Sequence, residues 1–447
     1  MIFSQLIASL NKLAMLITVS SIIIGSVIDT SIIRISVFAG WPSSSIMGIE
    51  GFTIIFLIYM VGQAIILDFI KRKSESIKSH RLNVSHRFVV LSQLVIIAIF
   101  ISIILEMIFI SSYSVILIDA VIWISCGVSI ILLGLLFRSF FSWFRSNRNL
   151  VVLAYTVATA ILALNSTFVA ATLTNKLSYQ EQQIQPLKNP VSNFVNADNI
   201  FNSVYTITSV LSFLSIWIAT ILLMHHYSKK LGRAKYWILV SIPLVYFLSQ
   251  FQGIFLDLFA SFRLSSPVLF GIVYTLVFSV AKPIGGVLFG IGFWSVGRTV
   301  GHYAVKDYMR MSGYGIMLLF SSNQITGLIL APYPPFGLAT LSFLGLASYL
   351  VLVGIYSSAI SVAQDVKLRR FIRNTLQQQT ALLDNIGTSQ MEQEIQERVM
   401  KITKNLSSET DPIMEANIKP SLEDDEIKEY MKLALEEIKA SKKNPDT

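Results

Sequence analysis

A chain of 447 residues that is 53% hydrophobic and only 14% charged, with a mean hydropathy of +0.64, cannot be mainly a water-soluble globular domain. Its single cysteine, Cys126, excludes a disulfide framework and a cysteine-rich metal site. The net charge of +9 is unevenly placed: residues 1–362 carry 22 Lys and Arg against 10 Asp and Glu, and residues 363–447 carry 13 against 16, so the basic excess belongs to the apolar part, where membrane orientation explains it and nucleic acid does not.

Apolar runs of about 20 residues recur through residues 1–362, and in lipid each must satisfy its own backbone as a helix. The runs are continuous, not alternating, which rejects a barrel. The expected fold is an all-α polytopic membrane protein. About ten transmembrane helices form a bundle over residues 1–362, and a short helical cytoplasmic tail covers 363–447.

The first run, 6–28, is expected as an uncleaved anchor, since its only basic flank, Lys12, is already inside the apolar stretch. The second, 52–70, carries Gln63 and is followed by Lys71, Arg72, Lys73, Lys78, Arg81 and Arg87. The third, 88–110, and the fourth, 115–137, are joined by the tight loop 111–114, so they are antiparallel neighbours carrying Glu106 and Asp119 near their outer ends. The fifth, 150–173, contains Asn165, and the sixth, 204–224, ends near His225 and His226, whose adjacency points them to different helix faces and argues against a metal site. The seventh, 236–260, contributes Asp257. Glu106, Asp119 and Asp257 thus share one depth and form an outer acidic group, read either as a cation entry or as headgroup contacts.

The eighth run, 268–296, holds Lys282 near its middle, within Ala281-Lys282-Pro283-Ile284-Gly285-Gly286. An ionisable group at bilayer depth costs at least ~2.5 kcal/mol, so Lys282 needs an explanation. Pro283 removes a backbone donor and should kink or break the helix there. A second half-helix starting at Pro283 would turn its free N–H groups toward the lysine, which favours an anion. Gly286 and Gly290 provide a small-residue face for a close neighbour, beside Gly285. Carboxylates lie too far outward for a direct pair, and the neutral residues Gln63, Asn165, Asn323 and Gln324 are its expected depth neighbours. Two readings stand: a solute site lined by these residues, or a proline kink with a structurally satisfied lysine.

The ninth run is 314–331 and the tenth 338–362. Inner loops by this count hold 16 Lys and Arg against 4 in the outer ones, which places both termini in the cytoplasm of a cell-membrane protein. The tenth span is expected to run on as a helix with Leu368, Ile372, Leu376 and Leu383 on one face, to stop at Asn385-Ile386-Gly387, and to restart at a capping box of Ser389 and Glu392. A third amphipathic helix is expected from Ser421 to Lys443.

No zinc-protease, hydrolase or phosphate-loop motif is present, so catalytic residues, metals and cofactors are not expected. The leading expectation is a carrier that binds a small anionic solute. The alternatives are a sensor or scaffold, acting through a homo-oligomer or a cytoplasmic partner of residues 363–447, and a membrane-embedded transferase acting on a lipid-linked substrate.

Overall fold

The computed structural model describes residues 2–39, 46–74, 80–178, 183–184, 200–225, 232–251, 257–300, 303–323, 333–365, 368 and 381–409. Among these the chain is helical: α1 (Ile2–Ala39), α2 (Ile46–Ser74), α3 (His80–Ile110), α4 (Val115–Ser146), α5 (Leu150–Leu177), α6 (Ile200–Met224), α7 (Arg233–Ser249), α8 (Ala260–Ser265), α9 (Pro267–Ser279), α10 (Ala281–Thr299), α11 (Tyr303–Ser322), α12 (Leu338–Ser342), α13 (Leu344–Gln364) and α14 (Ala381–Glu409). The extended exceptions are β1 (Tyr113–Ser114) and β2 (Gln183–Ile184), which pair antiparallel and tie the α3–α4 turn to the segment after α5.

The helices are sorted by which face meets protein. On α3, Val89, Gln93, Ile96, Phe100, Ile103 and Met107 are buried at alternating steps of four and three. Leu91, Leu94, Ile101 and Ile108 on the opposite face are exposed. Such a surface, apolar outward with a glutamine inward, suits lipid and not water.

Eight helices among the described residues are long and apolar enough to cross a bilayer: Leu13–Ile32, Gly48–Lys73, Leu82–Ile110, Val115–Ser146, Leu150–Leu177, Ile200–Met224, Pro267–Arg298 and Leu338–Gln364. By helix length and hydropathy the chain is a multi-pass membrane protein. The seventh and ninth expected spans fall outside the eight. α7 has 17 residues, and α11 is long enough but carries Lys306, Asp307 and Arg310. α11 also starts earlier than its apolar pattern suggests, because the buried Asp307 meets Lys73 at 2.8 Å and Arg310 at 3.5 Å, and these partners let the helix extend into a charged stretch.

The span formed by α12 and α13 is buried along nearly its whole length and lies at the centre of the packing. α4 runs parallel to it, with Ser125 Oγ donating to Leu341 O at 2.6 Å and Ser129 Oγ sharing a hydrogen bond with Ser348 Oγ at 2.7 Å. α11 lies antiparallel on another side, so close that a Cβ on Gly354 would fall 2.6 Å from Ser312 N. α10 packs antiparallel on α11 through Gly290 and Gly313: a Cβ on either would fall 2.8 Å from the main-chain oxygen of the other.

The tail departs from expectation in two places. α13 ends at Gln364 with Asp365 extended, so the last span does not run on unbroken; the Asp365 carboxylate instead accepts from Leu368 N at 3.0 Å. α14 passes through Asn385, Ile386 and Gly387 without stopping, and Ser389 does not cap a new helix but donates to Trp143 O at 3.2 Å. Packing overrides the local stop signal: Leu382, Leu383 and Ile386 are buried, and a Cβ on Gly387 would meet the Val362 side chain at 2.3 Å. Leu383 is thus taken up within the chain, while Ile372, Leu376 and the helix expected from Ser421 to Lys443 lie outside the described residues.

Candidate functional site

The interrupted span of α9 and α10 supplies the only lysine among the described residues that is set in the middle of a span. α9 ends at Ser279 and α10 begins at Ala281, with Val280 (φ −87°, ψ −12°) still in the right-handed helical region. Ile284 N donates to Val280 O at 3.0 Å, so the helical path is carried across the interruption without unwinding. Pro283 takes the third position of α10, where an N–H would have to reach back across the interruption; a residue with no N–H suits it.

The Lys282 ammonium donates to the main-chain carbonyl of Asn323 at 2.7 Å and to Tyr205 Oη at 3.1 Å, and lies 5.5 Å from the Tyr205 ring centre. Asn323 is the residue at which α11 ends, its own N–H donating to Leu319 O, and it is buried. A helix C-terminus leaves carbonyls without intrahelical donors and carries the negative end of the helix dipole. Lys282 therefore has a partner that sequence pattern does not show: a helix end instead of a carboxylate.

Polar side-chain atoms around this point are not all satisfied. Ser322 Oγ and Asn323 Oδ1 are buried with no hydrogen-bond partner. One turn along α6 from Tyr205, Thr208 Oγ1 donates to Asn165 Oδ1 at 3.2 Å, while Asn165 Nδ2 is buried and unpartnered. Lys282, Tyr205 and Asn323 are thus joined by direct contacts, and Asn165 connects to them through α6. Gln63 is buried on α2 with its Oε1 unpartnered, and no described contact joins it to Lys282. Gln324 lies outside the described residues.

The glycines beside Lys282 set how closely other helices come. A Cβ on Gly286 would lie 3.0 Å from Phe320 Cβ and 3.2 Å from Met317 O, both on α11. One on Gly285 would strike the Phe213 ring of α6 at 2.3 Å. The lysine is held between α6 and α11 by this approach.

Of the three acids expected to form an acidic group, Glu106 and Asp119 each hold a local contact. Glu106 Oε2 accepts from Ser114 N at 2.9 Å and closes the turn in which Ser111 adopts φ 54°. Asp119 Oδ1 accepts from Thr174 Oγ1 at 2.6 Å. Asp257 is exposed, and no described contact joins it to the other two.

A buried acid just beyond the first apolar run, 6–28, lies inside α1. Asp29 Oδ1 accepts from Gly337 N at 2.8 Å, and Oδ2 from Thr340 Oγ1 at 2.6 Å and Thr340 N at 3.2 Å. Gly337, at φ 84°, precedes α12 and has no side chain with which to cap it, so Asp29 supplies the acceptor from another helix. Thr340 Oγ1 also lies 3.0 Å from Tyr59 Oη, which in turn lies 2.7 Å from Ser26 Oγ. The end of α11 and the start of α12 thus both lie inside the protein, the first met by Lys282 and the second by Asp29. Tyr205 and Asp29 carried no signal in the sequence beyond position near a span end.

Comparison with family models, with curated proteins and with solved structures finds no match for this chain. Its chemistry has to be read from its own geometry.

Proposed function

We propose that this multi-pass membrane protein is a carrier-like bundle that binds a small anionic solute at Lys282. The observation that carries the reading is the ammonium seated at the end of α11 inside the bundle, beside buried polar atoms of Ser322 and Asn323 that lack partners. Transporter folds commonly place substrate sites where helices are interrupted within the membrane, because fixed charges and free helix-end groups meet there in a dry setting. Here the fixed charge is positive, and an anion is its complement.

In the same reading α7 and α11 also cross, giving ten passages, and the basic residues after the second, fourth, sixth and eighth place both termini in the cytoplasm. The antiparallel seating of α7 against α6 supports a passage: Trp217 Nε1 donates to Val240 O at 2.9 Å and Tyr236 Oη to Ile221 O at 3.1 Å. The docked α14 favours a modulatory role for the tail over a free-standing relay, since the start of its apolar face, at Leu382, Leu383 and Ile386, is buried on the bundle.

The test is thermal stabilisation of the purified, detergent-solubilised protein by a panel of small inorganic and organic anions, with Lys282→Gln alongside. Stabilisation of the native protein by at least one anion, lost in the variant, supports the site. No stabilisation by any anion, or an equal response in the variant, overturns it.

A further inference from the structure

We infer that the anion taken at Lys282 is a small hydroxycarboxylate, an inference that rests on the carrier reading above. An ammonium has three donors, and Lys282 gives two of them to Tyr205 Oη and Asn323 O, leaving one among the described contacts. Tyr205 Oη is the acceptor in its bond with the lysine, so its own proton is available to a second acceptor. These two donors suit a carboxylate.

One remaining group asks for the opposite. Asn323 Oδ1 can only accept, and it is buried without a donor; Ser322 Oγ, next to it in the chain, is buried without any partner and can donate or accept. A fully deprotonated oxyanion such as sulfate presents acceptors alone and would set oxygen against oxygen at Asn323. A ligand that carries both a carboxylate for the lysine and a hydroxyl for Asn323 satisfies both sides. An amino group is a poorer donor here, because as an ammonium it would bring a second cation beside Lys282, while the buried carboxylate of Asp29 is already engaged by Gly337 and Thr340.

Sites built to hydrogen-bond a substrate hydroxyl reject the analogue that lacks it far more strongly than apolar pockets reject a missing methylene. The experiment uses matched sets that differ in one group: glycolate, lactate and malate; acetate, propionate and succinate; glycine, alanine and aspartate; and sulfate. Each is titrated against the purified full-length protein, with half-saturation read from thermal stabilisation. At least one hydroxycarboxylate is expected to half-saturate at a concentration about tenfold or more below its deoxy and amino counterparts and below sulfate. Asn323→Leu is expected to abolish that preference while the simple carboxylate still binds, and Lys282→Gln to abolish both responses. If deoxy acids or sulfate bind as well as the hydroxy acids, or amino acids bind better, the hydroxyl assignment fails while the anion site stands. If nothing anionic binds, or Lys282→Gln is indifferent, the carrier reading itself fails. The matched comparison on the unmodified protein decides the inference even where Asn323→Leu does not fold.

Discussion

The Lys282 ammonium lies 2.7 Å from the main-chain carbonyl of Asn323, so a side chain from α10 closes the C-terminal end of α11 within the bundle. Asp29 does the converse for α12, meeting the N–H groups of Gly337 and Thr340. Lys282 and Asp29 thus each have a helix end of opposite polarity as partner, which offsets part of the penalty of removing them from water.

This arrangement makes Asp29 a stability residue. Asp29→Ala strands two buried backbone donors, and a loss of about 2–4 kcal/mol is expected. Asp29→Asn keeps an acceptor oxygen and should lose less. Denaturation of the purified variants checks the order, and an Ala variant as stable as the native protein would remove Asp29 from the account.

The α10–α11 contact has no room for a methyl group. Gly290→Ala pushes a Cβ to 2.8 Å from Gly313 O and toward the Met317 side chain, and should cost about 1–3 kcal/mol. Gly127→Ala is the control: nothing lies within 4 Å of its Cβ position, so its stability should be unchanged or slightly higher. Equal behaviour of the two variants would contradict the packing.

Docking of the tail is testable because Cys126, the single cysteine, is buried and leaves a quiet background. The side-chain amides of Asn147 and Asn385 share a hydrogen bond, and Trp143 Nε1 donates to Gln390 Oε1 at 3.2 Å. Cysteines at 147 and 385 should therefore be joined within one chain by a short bis-maleimide, seen as a shift in gel mobility. Failure to cross-link, with both cysteines reactive toward a monofunctional maleimide, would show that α14 is not held against α4.

Sidedness follows from α5. Ser146 and Ser178 flank its two ends and are exposed. Under the proposed orientation, a cysteine at 178 reacts with an impermeant maleimide in intact cells and one at 146 does so only after permeabilisation. The reverse pattern would invert the orientation, and labelling of both from one side would break the span count.

Tyr113 gives a pH dependence. Its ring stacks on Tyr333 at 5.9 Å in the short segment between α3 and α4. Burial, reinforced by Tyr333, holds its phenol well above the ordinary value of 10.0. The unfolded chain then ionises first, so the contribution to stability is intact below pH 10 and declines as pH rises beyond it. Tyr113→Phe should lose less stability than the native protein between pH 10 and 11. At pH 7 it should be neutral or slightly stabilising, since the hydroxyl is buried without a partner. A circular-dichroism melting series across pH checks both.

Most of the architecture was legible in the chain itself, because the solvent acts locally: a run such as 88–110 either satisfies its own backbone in lipid or cannot be there. The mid-span position of Lys282 and an interruption close to Pro283 were legible for the same reason, being properties of one segment. What only the tertiary structure decided was partnership. That Lys282 is met by the end of α11, that Asp29 caps α12 from α1, and that α14 ignores its Asn385-Ile386-Gly387 stop to lie on α4 and α13 depends on elements far apart in the chain. Their approach is set by packing at positions such as Gly290, Gly313 and Gly387, and no local propensity encodes which helix comes to fill the space.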